Sequence, residues 1–464
     1  MWRNRYALVA PIVSLALPIM LQGILFSLMG FVDSLMIGQL GELAISAQGN
    51  VNQLVSFSFL LFAALTTGGS ILISQFSGAK QQQNVEQIAH TMIVAGGVSG
   101  LVLGAVFYVL AKPLIALLTT DLFLPEAQWS EVPFVAASYL RIIAFAVPAM
   151  LLSQMIAAVF NATGDTKSPV KVSVTFNIVN FIGNYVLIFG LYLPGSQGPM
   201  FTPLGLQGAA IATLIASLGQ ATVLLVMIHR RLGGLNWGSL PQLKQIILLG
   251  YPNSIDGFYW QGARVFYTVL MNSIGAIAYA GYAIVRTFKG LFMLPVGGLQ
   301  QATGIHIGQL LGAGELEQAK TTAGAAIWVG VALMSVPVCL LILLAHPLLS
   351  LYHIQPETYH QAYWCLWILA GSLFFTAVNS VIPGILRAGG DTKSVMNITL
   401  KSFVLMGAPA SLLFGLGLDL GLIGAFIGIS LEEVFKSYLF GRQLRKGYWL
   451  NNLVAKSTPK MVKS

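Results

Sequence analysis

Four acidic residues lie inside long apolar stretches of this 464-residue chain, where a carboxylate is rare: Asp33, Asp256, Glu432 and Glu433. The remaining acidic residues fall in the segments between those stretches. A charge at the centre of a membrane helix costs roughly 3 kcal/mol by insertion scales, so an acid that stays there needs a partner or a function. A carboxyl group removed from water also holds its proton more tightly. The four residues are therefore candidates for binding a proton or a small cation.

The composition identifies the apolar stretches as membrane spans. Asp, Glu, Lys and Arg make up 8% of the chain, against about 25% in soluble domains. Hydrophobic residues make up 56%, and the mean hydropathy is +0.78. So few charges do not cover a water-exposed surface, which argues against a soluble protein. The first apolar stretch extends to about Val32, which is too long for a cleaved signal peptide, and we expect it to be retained as the first span.

Twelve apolar windows, each long enough to cross a bilayer as a helix, follow one another along the chain. Unpaired backbone groups do not face lipid, so helices are predicted rather than a barrel. The sequence thus predicts an all-α integral membrane protein with twelve transmembrane helices, and counts of eleven or thirteen remain open. The windows are 8–37, 44–76, 88–118, 133–161, 169–193, 205–229, 245–273, 277–305, 318–345, 359–386, 395–418 and 421–441.

The distribution of basic residues predicts the orientation. Of the Lys and Arg residues, 17, Arg387 among them, fall in the termini and in the loops expected on the same side, whereas the opposite loops carry only Lys112. Basic loops stay in the cytoplasm, so both termini of a multi-pass cell-membrane protein are predicted there. The net charge of +9 follows from this topology, and a nucleic-acid partner is not expected.

The chain contains an internal repeat. Residues 162–168 (ATGDTKS) recur as residues 388–394 (AGGDTKS), and residues 73–79 (ISQFSGA) resemble residues 307–313 (IGQLLGA). A third pair, LGLQGA and LGLIGA, starts at Leu204 and Leu420, so the order is kept. Six helices separate matched points, which gives the two halves one orientation in the membrane, as in parallel-repeat transporters.

The repeat sets the predicted domain boundaries. Two pseudo-symmetric six-helix bundles are expected, followed by a tail rich in Lys and Arg. The predicted segments are an N-lobe at 1–229, a cytoplasmic linker at 230–244, a C-lobe at 245–441 and a basic cytoplasmic tail at 442–464.

Several of these motifs together resemble multidrug and toxic compound extrusion (MATE) transporters. The shared features are Pro18 followed by residues 33–38 (DSLMIG), the Gln-x-x-Gly-Ala stretches and the two Gly-Asp-Thr-Lys loops, with 180–185 (NFIGNY) and 208–213 (GAAIAT). The resemblance covers roughly residues 10 to 450. It implies two six-helix lobes forming a V, and export of organic compounds by alternating access in exchange for protons or sodium ions.

The resemblance also implies a cation or proton site around Asp33, with Asn180, Asn184 and Thr213 opposite it. Asn180 and Asn184 are four residues apart and share a helical face, which Asn177 extends by one turn. Asn177 is a candidate for lining the substrate cavity. Some relatives carry Asp where this chain has Asn184, so this site holds one negative charge fewer.

Asp256 is the second candidate for ion coupling, at a position where several MATE branches carry Glu. The alternative is a structural ion pair with one of three basic residues of the same half, Arg264, Arg286 or Lys289. We expect that these three do not all line a cavity without an acidic partner. Aromatic residues near Asp256 are candidates for binding substrate by stacking, with ordinary packing as the alternative: Tyr259, Trp260 and Tyr267.

The other two intramembrane acids suit a structural role better. Glu432 and Lys436 are four residues apart, a spacing that favours an ion pair on one helical face. Sodium-coupled relatives place an acid in the tenth helix, and residues 359–386 contain none, which favours protons over sodium.

The leading hypothesis is a proton-coupled antiporter, with sodium as the alternative ion, that exports amphiphilic and often cationic organic molecules. A lipid-linked-saccharide flippase of the same superfamily is the alternative, but it would need a cluster of basic residues in the N-lobe spans, which offer only Arg141. No HExxH or GxSxG motif indicates an enzyme. Cys339 and Cys365 form no metal motif. We expect a monomer in the lipid bilayer with a small-molecule substrate, no cofactor and no resident metal.

Overall fold

The structure is a computed structural model that describes residues 2–118, 131–191, 202–234, 236–350, 352 and 354–457. Within this part of the chain the secondary structure is helical throughout. The first seven helices are α1 (Trp2–Gly38), α2 (Glu42–Gly78), α3 (Gln82–Val109), α4 (Ala111–Leu118), α5 (Val132–Ala162), α6 (Lys167–Phe189) and α7 (Gly205–Leu232). The others are α8 (Leu240–Ile274), α9 (Ala276–Gly312), α10 (Leu316–Ser350), α11 (Pro356–Ala388), α12 (Thr392–Ser402), α13 (Ala408–Leu412), α14 (Gly421–Arg445) and α15 (Leu453–Ser457).

Twelve long helical segments account for the twelve predicted spans. In the described residues, nine of them are long and apolar enough to cross a membrane by length and composition. The other three, α8, α9 and α14, have comparable lengths but carry charged residues such as Asp256, Lys289 and Glu433. The all-α, twelve-helix prediction is therefore confirmed.

The eleventh span is irregular. After α12, π-helical turns occupy Phe403–Gly407 and Leu413–Gly417, on either side of α13. A π-turn widens the helix locally and often marks a functional or strained position. At Gly407, a side chain would overlap the carboxylate of Glu432. The small residue at this turn therefore makes room for a buried acid of α14.

Contacts divide the chain into two compact units. One contains residues 21–73 and 82–248, and its core includes Ile37, Leu140 and Leu151. The other contains residues 1–20, 74–81 and 249–464, with cores built around residues such as Met271 and Leu386. The residues at 1–20 and 74–81 thus pack with the second half of the chain, although the sequence places them in the N-lobe.

The repeated Gly-Asp-Thr-Lys loops have the same backbone structure. In the first, the Asp165 N–H donates to the carbonyl of Phe160, and Gly164 has φ +93°. In the second, the Asp391 N–H donates to the carbonyl of Leu386, and Gly390 has φ +82°. A positive φ is readily adopted by glycine alone, so the repeated glycine fixes both turns. The internal repeat is therefore present in local geometry as well as in sequence.

The repeated Gln-x-x-Gly stretches cross each other inside the second unit. A side chain at Gly78 would overlap the main-chain carbonyl of Gln309, and one at Gly312 would overlap that of Gln75. Glycines let two helix backbones approach this closely, as in the small-residue contacts of membrane helices. The matched positions of the repeat therefore form one reciprocal contact between the ends of α2 and α9.

Gln75 also holds the segment that follows α14. Its side-chain amide donates to the carbonyl oxygens of Ala388 (2.7 Å) and Asn451 (3.2 Å), and its oxygen accepts from the Leu453 N–H at 2.8 Å. The Trp449 side chain is buried in the same unit. The predicted basic tail is thus packed against this unit as far as Val454, which is buried, and residues 458–464 lie outside the described part.

Candidate ion-coupling site

Asp33 lies in α1 opposite a pair of buried carboxamides on α6. The Asn184 amide nitrogen donates to Asp33 Oδ1 at 2.6 Å, and the same nitrogen lies 3.3 Å from Asn180 Oδ1. Asn184 is 1% exposed and Asn180 is 7% exposed. Their four-residue spacing on α6 directs both toward α1, as the sequence predicts. The structure thus brings the three residues together within one unit.

Asn180 connects this group to Thr213 of α7, and its carboxamide fits in either of two orientations. In one, its amide nitrogen donates to Thr213 Oγ1 at 3.3 Å. With the carboxamide turned over, its nitrogen lies 3.2 Å from Asp33 Oδ1 and its oxygen accepts from the Thr213 N–H. The first orientation presents an oxygen to Asp33 and suits a protonated carboxyl. The second presents a donor and suits a carboxylate.

The neighbourhood contains polar atoms whose hydrogen-bonding capacity is unused among the described residues. Asn184 Oδ1 and Asn177 Nδ2 are buried without a hydrogen-bond partner there. Tyr139 of α5 is also buried and lies within electrostatic range of Asp33. Tyr139 could not be predicted from the sequence, because one aromatic residue in an apolar helix gives no signal of which way it faces.

Asp256, the second predicted coupling residue, is ion-paired. Arg387, in the last turn of α11, donates to Asp256 Oδ2 at 2.9 Å, and both side chains are largely buried. In the described residues Asp256 does not pair with any of the expected partners, Arg264, Arg286 and Lys289. The expectation that Arg387 is a loop residue was also wrong, because it belongs to α11. The repeat gives one sequence signal for the helical position of Arg387. Arg387 aligns with Asn161, and each of the two residues lies in the helix that precedes a Gly-Asp-Thr-Lys loop.

Glu432 and Glu433 belong to a charged network in the core of the C-lobe. Lys436 lies 2.8 Å from Glu432, which confirms the predicted pair, and Tyr267 donates to the same carboxylate at 2.6 Å. Glu433 pairs with Lys289 at 3.0 Å. Lys289 therefore has an acidic partner, so the three basic residues are not all uncompensated, but that partner is Glu433 and not the expected Asp256.

Asn379 of α11 completes this network. It donates to both the main-chain and the side-chain oxygen of Glu433, each at 2.8 Å. The Ser437 hydroxyl donates to the oxygen of Asn379 at 2.9 Å. These contacts join α9, α11 and α14, and nothing in the spacing of the sequence indicates them.

The aromatic candidates for a substrate cavity differ in accessibility. Trp260 is 53% exposed, and Tyr259 is partly buried. Tyr267 is buried against Phe266 and Phe403 and bonded to Glu432, which is a core position rather than the predicted cavity-lining one. Of these three, Trp260 has the most exposed side chain.

The described residues combine a twelve-helix membrane fold, an internal repeat with matched turns and an intramembrane carboxylate held by an amide, features of a membrane transporter. The MatE family model matches residues 18–186 and 258–413. The chain therefore belongs to the MatE family, the family of multidrug and toxic compound extrusion transporters.

Related proteins and structures agree with this membership. The chain is 24% identical over 452 residues to an uncharacterized transporter, YisQ, of Bacillus subtilis, covering 95% of each. It is 26% identical to a probable multidrug resistance protein, NorM, of Thermotoga maritima, covering 94% of this chain and 92% of the relative. The structure of the Vibrio cholerae MATE transporter VcmN in the bent form superposes with a TM-score of 0.86 at 21% identity, covering 97% of this chain and 100% of that one.

Proposed function

We propose that this protein is a proton-driven antiporter that exports amphiphilic, often cationic, organic compounds by alternating access. The observation that carries the proposal is the contact between Asp33 and Asn184, a membrane-embedded carboxyl group bonded at 2.6 Å to a neutral donor. A carboxyl group without a cationic partner can exist in both protonation states in the membrane. Reversible protonation is what a proton-coupled carrier requires of one residue.

The polar partners favour a proton over a sodium ion. Asn184 directs its N–H group at Asp33 Oδ1, and a donor in that place repels a cation. Sodium prefers a shell of several oxygen ligands, as hard cations generally do. With Asn at position 184, this site contributes a single carboxylate. Sodium therefore remains the alternative ion.

Two states of the site suit two conformations of the transporter. The protonated carboxyl tolerates an apolar surrounding, whereas the carboxylate is stabilised by Asn180 and Asn184 when water reaches it. A ligand shifts a conformational equilibrium by its difference in affinity for the two states. Different proton affinities in the two conformations thus link the inward flow of protons to the outward movement of substrate.

We also propose the location, orientation and oligomeric state of the protein. It is a monomer in the cell membrane with both termini in the cytoplasm, it binds a small molecule, and it requires no cofactor or nucleic acid. The excess of Lys and Arg on the predicted cytoplasmic side supports this orientation.

Substitution of Asp33 by Asn tests the proposal, because Asn keeps the size and hydrogen bonding of Asp but does not titrate. The variant should purify as a monodisperse protein and lose gradient-driven export of ethidium from reconstituted vesicles with an imposed proton gradient. Glu42→Gln is the matched control, since Glu42 is an exposed acid at the start of α2 and its loss should leave export unchanged. Near-normal export by Asp33→Asn would exclude Asp33 as the coupling residue.

A further inference from the structure

Two arginines remain in the C-lobe spans after the buried charges are paired. Asp256, Glu432 and Glu433 hold Arg387, Lys436 and Lys289, respectively. Three carboxylates thus face three cations, and this buried set is neutral. In the described residues, neither Arg264 nor Arg286 forms an ion pair with an acid, so both of their charges are in excess.

The two arginines lie at the same level of adjacent helices. Arg264 of α8 and Arg286 of α9 are each eleven residues from Gly275, which joins the helices. Both are about 11 Å along the axis from the midpoint of their helix, which keeps them within a hydrocarbon layer about 30 Å thick. Both side chains are exposed. Exposed charges at this depth face a water-filled space rather than lipid, because contact with lipid is costly.

Tyr282 of α9 contacts one arginine and lies near the charge of the other. The Arg286 guanidinium lies over the Tyr282 ring, 5.8 Å from its centroid, and both arginines are within electrostatic range of the hydroxyl group. The ring is buried in the C-lobe core, so it is a fixed support. Two like charges held near one phenol repel each other, and an anion between them would relieve that repulsion.

An exposed aromatic side chain lies beside the pair. Trp260, 53% exposed, precedes Arg264 by four residues and so shares its face of α8. Guanidinium groups bind carboxylates and sulfonates with two parallel hydrogen bonds, and a tryptophan ring stacks on a flat apolar body. The two features together select a molecule with an anionic group attached to an aromatic framework.

We propose that Arg264 and Arg286 form an anion-binding subsite in the C-lobe, which takes the carboxylate or sulfonate of an amphiphilic aromatic substrate whose ring stacks on Trp260. This inference rests on the proposed export function and specifies its substrates: zwitterionic and anionic aromatic compounds bind in addition to cations, and the acid group adds affinity.

Two dyes that differ in one group provide the test. Rhodamine 110 carries a free carboxylate, and rhodamine 123 is its methyl ester. Binding of each dye to the purified full-length protein in phosphatidylcholine nanodiscs is measured by fluorescence anisotropy, without any ion gradient. The wild-type protein should bind rhodamine 110 more tightly. Arg264→Gln and Arg286→Gln should each weaken rhodamine 110 binding about tenfold, since hydrogen bonds to charged groups are among the strong ones, and leave rhodamine 123 binding nearly unchanged.

Further variants separate a local contact from a loss of positive charge. Lys320→Gln removes one charge from an exposed pair with Glu317 and should leave both dyes unaffected. Arg286→Lys keeps the charge but loses the paired hydrogen bonds, and should weaken rhodamine 110 binding by a smaller factor. If Arg286→Gln does not purify as a folded protein, Arg264→Gln and Arg286→Lys decide the question.

Equal binding of the two dyes by the wild-type protein would overturn the proposal, as would an equal loss of both in the arginine variants. Loss of the rhodamine 110 preference in nanodiscs that also contain phosphatidylglycerol would assign the pair to a lipid phosphate instead. Because binding needs no gradient, Asp33→Asn should keep the preference. Failure of proton-driven export with an intact dye preference would therefore contradict the proposed function and not the subsite.

Discussion

At the scale of single residues, Asp33 differs from the other three intramembrane acids in the chemistry of its partner. Asp256, Glu432 and Glu433 each contact a basic side chain within 3.0 Å, whereas Asp33 contacts the neutral amide of Asn184. A basic partner fixes a carboxylate in its ionised state, and an amide does not. This contrast is why we assign proton coupling to Asp33 and a structural role to the pairs of Glu432 and Glu433.

The choice of ion should depend on residue 184. Asn184→Asp adds a second carboxylate beside Asp33 and removes the donor that repels a cation. We expect a sodium gradient to drive export by this variant, because the site then supplies two carboxylates among its oxygen ligands. Export is measured in vesicles with a sodium gradient alone. Asn177→Asp, on the same helical face two turns away, is the control and should not gain sodium dependence. Absence of sodium-driven export by Asn184→Asp would contradict our explanation of ion selectivity.

The C-lobe network should be important for stability. Glu433→Gln leaves Lys289 and Lys436 with one carboxylate fewer in a buried site. Removal of one partner from a buried ion pair typically costs about 3–5 kcal/mol. We therefore expect a clearly lower melting temperature for the purified variant in detergent. Glu317→Gln breaks an exposed pair with Lys320 and should leave the melting temperature almost unchanged. Similar melting temperatures for both variants would show that the network contributes little.

At the scale of helices, the repeated glycines set how closely α2 and α9 approach. Ala at position 312 would place its methyl group on the main-chain carbonyl of Gln75, which does not rotate away as a side chain would. Overpacking of this kind costs about 1–3 kcal/mol. Gly312→Ala should therefore lower thermal stability. Gly324→Ala is the control, because nothing lies near that position in α10 and Ala favours a helix by about 0.5–1 kcal/mol. A neutral Gly312→Ala would contradict the close crossing.

Helices and repeats could be predicted from the sequence because they follow local patterns. The predicted window 205–229 starts where α7 starts, and the Gly-Asp-Thr-Lys loops form matched turns at Gly164 and Gly390. The window 277–305 is shorter than α9, because helices continue past the apolar region into polar surroundings. The pairing of Asp256 with Arg387 could not be predicted, since it depends on how two helices rotate against each other.

At the scale of the whole molecule, the two lobes have different electrostatic characters. The N-lobe holds a carboxyl group with neutral partners, and the C-lobe holds a neutral network with two additional arginines. The proton site and the anion-binding subsite that we propose belong to different halves of the repeat, so their ligands do not compete for the same atoms. We expect coupling between them to arise from the conformational change that both ligands bias.

The central claim is that an inward proton gradient alone drives export. The most direct measurement is ethidium export from vesicles of the purified wild-type protein, with a pH gradient and a sodium gradient imposed separately at equal membrane potential. Our account predicts export under the pH gradient without sodium, and none above the background of protein-free vesicles under the sodium gradient at uniform pH. Export under the sodium gradient together with no response to the pH gradient would contradict it.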